Sequence, residues 1–286
     1  MTASLPRKID ALAEISDDYD VILCDVWGVL HNGVEAALPA AAALARARSD
    51  GKIVVLVTNA PRRRREVGAG LDAIGVPRGA WDRLVTSGDV TRDLIAQNAR
   101  KVYHLGPDRD VSLFEGLDLE LVEEFEAQSV VCSGMLDDEA ETPDDYSEAL
   151  RRMRARDLPF ICANPDIVVE RGDRLIWCAG ALARDYAQLG GRTLIAGKPH
   201  MPIYDAALKA AADAAGREFD EPRVLAIGDG ILTDIKGAAA AGYDALFITA
   251  GIHAAEYGGG DPTPERLSGF LSAHGLWPRA TMPRLR

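Results

Sequence analysis

The stretch Val21-Ile22-Leu23-Cys24-Asp25-Val26-Trp27-Gly28-Val29-Leu30-His31-Asn32-Gly33 decides how this chain is to be read. Its first four residues form an unbroken apolar run, the pattern of a strand buried on both faces. A carboxylate ends the run, and a glycine-bearing loop follows at once. In an open α/β sheet, ligands bind beyond the carboxyl ends of the strands, so Asp25 points to a ligand rather than to a core. Taken alone, a solvated acid at a strand end explains the pattern equally well.

Three further stretches repeat the arrangement. Lys52-Ile53-Val54-Val55-Leu56-Val57 is a second buried strand, ending in Thr58-Asn59-Ala60-Pro61. Gly197-Lys198-Pro199-His200 leads into a helix expected over about 203–215. Arg223-Val224-Leu225-Ala226-Ile227 is a third strand; it ends in Gly228-Asp229-Gly230, and Thr233-Asp234 opens the next helix. Helices are expected over 39–48, closed by Asp50-Gly51, and over 63–74, closed by Gly75. Strands alternating with helices through short loops imply an α/β fold with a doubly wound parallel sheet. Residues 243–248 read as the last core strand, and a short helix begins at Pro264. Ile9, Leu12 and Ile15, spaced by three, suggest a short leading helix over 7–15.

After Leu84-Val85-Thr86-Ser87-Gly88 the rhythm changes. Strands are expected at 101–106, 119–122, 129–132 and 160–163, with helices near 144–156 and 179–189. This is an α/β pattern of its own, long enough for a separate small domain. The expected division is a core of residues 1–87 and 192–286, with an inserted α/β domain over 88–191. The acid-rich run 137–141 reads as an exposed loop.

The bulk numbers set limits. The chain has 286 residues, 48% hydrophobic and 27% charged, enough apolar content for a full core. Its net charge of −12 argues against a nucleic-acid or anionic-membrane surface. Arg62-Arg63-Arg64-Arg65 at a helix start is best read as a solvated face, with Arg62 alone near enough to Thr58-Asn59 to be a phosphate-contact candidate. His200 reads as a surface residue at a helix start. The four cysteines form no close pair, and Cys24 and Cys162 lie in apolar runs, which argues for reduced thiols without a disulfide framework or zinc site. The first twenty residues hold no apolar stretch of signal-peptide length, and no run reaches transmembrane length. A cytoplasmic protein is expected.

If the strands are parallel neighbours, Asp25, Thr58-Asn59, Lys198, Asp229 and Asp234 share one crevice. Three carboxylates there repel one another, and a hard divalent cation such as magnesium removes that cost. A nearby lysine supplies the further positive charge that a phosphoryl group needs. A carboxylate among such groups can act as a nucleophile and form an aspartyl-phosphate.

With these residues in view, the chain resembles the haloacid dehalogenase (HAD) superfamily of phosphohydrolases. Asp25-Val-Trp-Gly-Val-Leu is similar to its first motif, Val57-Thr58-Asn59 to its second and Gly197-Lys198-Pro199 to its third. Gly228-Asp-Gly-Ile-Leu-Thr-Asp-Ile-Lys-Gly-Ala is similar to its fourth. Together with Ala163-Asn164-Pro165-Asp166, these motifs point to the subclass of NagD-like and nitrophenyl phosphatases, in which an α/β cap is inserted between the second and third motifs. The resemblance implies a Rossmann-like core and a magnesium-dependent hydrolase of a small phosphorylated metabolite. It implies Asp25 as nucleophile and metal ligand, the backbone carbonyl of Trp27 and Asp229 as further ligands, and Asp234 in support, directly or through water. Thr58 and Lys198 would hold the phosphate, Lys198 would also orient Asp25, and Asn59 would help. It allows a homodimer formed through the cap, for which the sequence offers no interface patch.

The chain departs from the family at one position. HAD phosphatases carry a second aspartate two residues after the first, where it protonates the leaving group and then activates water. Trp27 stands there, and indole does neither. His31 is the nearest polar side chain in the loop and is a candidate substitute acid/base; a loop histidine bonding backbone is the competing reading. Two other functions stay open: a phosphate-binding protein with little turnover, and a dehalogenase-like hydrolase, whose family carries an aromatic at that position but does not use the metal.

Overall fold

The computed structural model describes residues 5–98, 100–172 and 174–286. In chain order the first elements are β1 (Arg7–Lys8), β2 (Val21–Cys24), α1 (Leu38–Ser49), β3 (Ile53–Thr58), α2 (Arg64–Ala73) and β4 (Arg83–Thr86). Then come α3 (Ser87–Ala96), β5 (Lys101–Leu105), β6 (Glu120–Leu121), β7 (Ser129–Cys132), α4 (Ser147–Ala155), β8 (Phe160–Cys162), β9 (Val168–Arg171), β10 (Arg174–Trp177), α5 (Ala179–Gln188) and β11 (Thr193–Ile195). The chain closes with α6 (Met201–Ala215), β12 (Val224–Gly228), α7 (Lys236–Ala241), β13 (Asp244–Ile248), α8 (Pro264–His274) and β14 (Ala280–Met282).

Two compact units result. The first holds the residues up to Thr58, Gly68–Val85 and Tyr204–Arg286; the second holds Asn59–Val67 and Thr86–Ile203. The span 88–191 expected as an insert lies wholly within the second unit, which also takes in Asn59–Val67, residues 86–87 and residues 192–203.

The first unit is built on a seven-stranded sheet in the order β1-β14-β13-β12-β2-β3-β4. The pairs β1–β14, β14–β13, β13–β12, β12–β2 and β2–β3 are all parallel. From β2 the chain steps outward one way to β3 and β4, and later the other way from β12 to β14. The order therefore reverses between β2 and β12, where open parallel sheets place their ligand crevice. Every residue of β2 is buried, because the sheet is covered on both faces and a continuous apolar run is what such a strand needs. This is the doubly wound α/β fold expected from the alternation of elements.

The second unit has a five-stranded parallel sheet, β11-β8-β7-β5-β6, and an antiparallel β9–β10 pair. Its strands alternate sides. Val130, Cys132, Phe160 and Cys162 pack in one cluster with Leu150 and Met153 of α4 and Leu182 and Tyr186 of α5. Val131 and Ile161 pack in another with Ile95 of α3 and Phe114. Among the described residues, the cysteines are all buried.

Two local expectations are corrected. Residues 7–15 are not a helix: β1 is followed by two short 3₁₀ turns, Leu12–Glu14 and Ser16–Asp18. A strict spacing of three fits three residues per turn, and Ile9 continues the strand by donating its N–H to the Thr281 carbonyl at 3.0 Å. The strand 243–248 is not the last of the core, since β14 pairs with it in parallel and is too short to show a pattern of its own. The acidic run 137–141 is an exposed loop, as expected, and its acids are ion-paired: Asp138 with Arg109 and Arg171, and Glu139 with Arg171 and Arg174.

Candidate active site

In the first unit the site grows from strand register. Cys24 is level with Ile227 on β12 and with Leu56 on β3. Asp25 therefore comes level with Gly228 and Val57, and Asp229 and Thr58 lie one residue further along. Neighbouring strands are only about 4.8 Å apart, so one residue of register separates these side chains. The backbone N–H of Asp25 donates to the Ile227 carbonyl at 2.8 Å, continuing the ladder to the point where the acid leaves the sheet.

Asp25, Asp229 and Asp234 form a buried cluster, one carboxylate oxygen of each lying within 4.8 Å of the others. Asp229 is cradled by backbone. Its Oδ2 accepts the Ile252 N–H at 2.9 Å, and Gly28 and Gly251 both approach it so closely that a Cβ at either would collide with the carboxylate. Gly28 also has φ of +82°, a left-handed conformation open to glycine. Asp234 sits in a single π-helical turn, Ile231–Ile235, where its Oδ2 accepts the Gly230 N–H at 3.0 Å. The charge of Asp229, after burial itself, pushes the nearby Tyr257 phenol upward.

The loop after β2 is tightly folded. Gly28 N–H donates to the His31 carbonyl and Leu30 N–H to the Val26 carbonyl, each at 2.8 Å. Trp27 meets His31 edge to face, with ring centroids 4.8 Å apart. His31 Nδ1 accepts the Gly33 N–H at 2.8 Å, so the neutral ring carries its proton on Nε2. Thr58 is buried at the end of β3.

The second unit carries its own polar cluster. Asn59 Oδ1 accepts the Lys198 N–H at 2.8 Å, while its Nδ2 donates to Asp166 Oδ1 at 2.8 Å and to the Lys198 carbonyl at 3.3 Å. Lys198 is buried. The Asn59 amide is thus committed to fixing the Lys198 backbone. Asn164 Oδ1 accepts the Asp166 N–H at 3.1 Å, which turns the Asn164-Pro165-Asp166 run toward Asn59. Arg62 faces the buried Asp110 at 3.9 Å. Burial raises the Asp110 carboxyl, and Arg62 opposes that shift.

The structure thus brings Asp25, Asp229 and Asp234 together in the first unit, and Asn59 with Lys198 in the second. The roles of Asp166, of Gly28 and Gly251 as cradles, and of the loop at Ile252 were not read from the sequence. The Asn-Pro-Asp run was a visible signal for Asp166, whereas nothing local marks Ile252.

A family model described as haloacid dehalogenase-like hydrolase matches residues 22–120, and one described as HAD-hydrolase-like matches residues 195–267. A solved hydrolase of the haloacid dehalogenase-like family from Brucella suis 1330 is 56% identical, over 99% of this chain and 100% of that one, with a TM-score of 0.88. The chain belongs to the haloacid dehalogenase-like hydrolases. Two more distant structures share 25% identity with the chain. One is a p-nitrophenyl phosphatase from Archaeoglobus fulgidus, matched over 92% of this chain and 95% of that one with a TM-score of 0.67. The other is a glycerol phosphate phosphatase from Mycobacterium tuberculosis in complex with magnesium, matched over 85% of this chain and 72% of that one with a TM-score of 0.63. No curated protein sequence matches the chain. Among the described residues no helix is long and apolar enough to cross a membrane.

In this HAD hydrolase the acidic cluster suits a hard cation. Its donors are all carboxylate oxygens, without histidine or cysteine, and such sets favour magnesium or calcium over zinc or copper. Three buried carboxylates this close also repel one another unless a cation offsets them.

Proposed function

We propose that the protein is a magnesium-dependent phosphatase of a small phosphorylated metabolite, working through an aspartyl-phosphate on Asp25. The observation that carries this reading is the buried Asp25–Asp229–Asp234 cluster at the ends of β2 and β12, the point where the sheet order reverses. The phosphatase names of the 25%-identical structures, one of them with magnesium, support it.

Asp25, the Trp27 carbonyl and Asp229 would hold the metal, with Asp234 in support. When bound, magnesium offsets the repulsion between an anionic nucleophile and an anionic phosphate. The Asp25 carboxylate attacks phosphorus, the bond to the leaving oxygen breaks, and an aspartyl-phosphate forms. Water then attacks the same phosphorus, releasing inorganic phosphate and restoring Asp25. Thr58 donates a hydrogen bond to the phosphate. Lys198 is its cationic partner by family resemblance, and Asn59 fixes the Lys198 backbone. Residues 88–191, within the second unit, serve as the cap.

Trp27 sets the limit on this chemistry. Alkoxide leaving groups need a proton, whereas phenolates depart without one. The loop from Val26 to Gly33 contains no carboxyl group. The favoured substrates are those with stable leaving anions. The same tryptophan favours a second reading, a phosphate-binding protein with little turnover. Retention of the acidic cluster counts against the dehalogenase alternative, whose chemistry is metal-free.

The test is phosphate release from p-nitrophenyl phosphate and a metabolite panel, with and without magnesium. Many magnesium-dependent turnovers, abolished by Asp25→Asn, are expected. Stoichiometric binding without turnover would select the second reading. Calorimetry on Asp229→Asn should show much weaker magnesium binding, and unchanged affinity would remove the metal site as drawn.

A further inference from the structure

The loop that follows β13 does more than touch Asp229. Ala250-Gly251-Ile252-His253 meets the acidic turn at two points. Ile252 gives its N–H to Asp229 Oδ2 at 2.9 Å. The next residue, His253, accepts the Ile231 N–H on its Nε2 at 3.2 Å. Ile231 opens the π-helical turn that carries Asp234. The two contacts thus hold the acidic segment on either side of Gly230.

The imidazole is itself held. Its Nδ1 lies 2.5 Å from Glu256 Oε1. Because Nε2 accepts a backbone N–H, the proton of the neutral ring resides on Nδ1 and is donated to Glu256. The ring also packs against Phe270, with centroids 5.3 Å apart, and Phe270 in turn meets Tyr257. Tyr257 donates to the Thr249 carbonyl at 2.6 Å, closing the loop on itself. A backbone N–H in a turn of five residues has few ways to be satisfied, and an unsatisfied one is costly. A side chain placed to accept it selects one geometry of the turn.

We propose that His253, oriented by Glu256, is a positioning residue for the acidic cluster: it fixes Ile231 and thereby the relative placement of Asp229 and Asp234 for a divalent cation. This rests on the reading of the cluster as a metal site. The role is one of geometry, exercised through a backbone N–H, and His253 takes no part in the chemistry. The requirement is for an acceptor at Nε2, which glutamine Oε1 supplies at similar reach and alanine does not.

The experiment uses the full chain and two readouts. Amide hydrogen exchange without added metal reports the turn directly. In His253→Ala, exchange at Ile231 and through residue 235 should quicken by about tenfold. Magnesium titration by calorimetry should show affinity reduced by about tenfold or more, the scale of losses when ligand-orienting groups are removed. His253→Gln should restore both to near the wild-type values, and Glu256→Ala should give a smaller loss in the same direction. Unchanged exchange in His253→Ala overturns the proposal, as does a His253→Gln variant as impaired as alanine, which would reduce the residue to packing against Phe270. If wild type itself binds no magnesium, the metal-site reading falls, while the exchange comparison still decides whether His253 positions the turn.

Discussion

Gly28→Ala tests the cluster without replacing any carboxylate. Gly28 has φ of +82°, and left-handed backbone costs an L-residue roughly 1–2 kcal/mol. Its new Cβ would stand 2.9 Å from Asp229 Oδ1 and nearer still to Oδ2, where ordinary contact begins at 3.4 Å. With Asp229 Cγ only 2.6 Å from the new Cβ, the carboxylate must give by at least about 0.8 Å, against magnesium–oxygen distances held within a narrow range near 2.0–2.1 Å. It cannot retreat freely, since Gly251 closes the other side and the Ile252 N–H holds Oδ2. We therefore expect magnesium affinity to fall by about 10–100-fold, with a loss of folding stability of about 1–2 kcal/mol. Calorimetric magnesium titration and urea unfolding measure the two effects separately. A variant that is destabilised yet binds magnesium like wild type would refute the reasoning, because the strain would then be relieved without moving Asp229.

Other outcomes follow from the same geometry. Trp27→Asp should raise turnover of alkyl phosphates, by up to about two orders of magnitude, while aryl phosphates change little; equal gains on both would show that proton supply is not the limit. His31→Ala should slow alkyl substrates only if His31 replaces the missing acid, and rapid wild-type hydrolysis of an alkyl phosphate untouched by this change would send the search for the acid elsewhere. Asn59→Ala removes the acceptor of the Lys198 N–H and one donor to Asp166, and unfolding in urea should show a loss of about 1–3 kcal/mol. Hydrogen bonding to Arg223 holds the Asp20 carboxyl below its ordinary value, so its ionised form favours folding. That contribution is present above about pH 4 and is lost as pH falls through the lowered pKa; the stability gap between wild type and Asp20→Asn should close on acidification, and a gap that widened would contradict the sign.

Much of this molecule was legible in its local patterns. Strands buried on both faces carry apolar runs, so β2, β3 and β12 announced themselves, and Asp25 and Asp229 after β2 and β12 stood out because charge at such a point must be explained. The long element rhythm between Thr86 and Gly197 marked out a second α/β pattern. Short elements left no such trace. β14 pairs with β1 on one side and β13 on the other, and the spacing of Ile9, Leu12 and Ile15 served 3₁₀ turns as readily as a helix.

The tertiary structure alone decided the register that sets Asp25 beside Gly228, and so the closeness of the three carboxylates. It also decided what holds them. The Ile252 N–H reaches Asp229 from 23 residues away, His253 reaches Ile231 from 22, and Asn59 reaches Lys198 from 139. Such bonds join groups that are strangers in sequence. A backbone N–H has no side-chain identity to betray its partner, and an asparagine in a loop has many. Only when packing fixes the strands does one geometry satisfy them all, and that choice belongs to the folded chain.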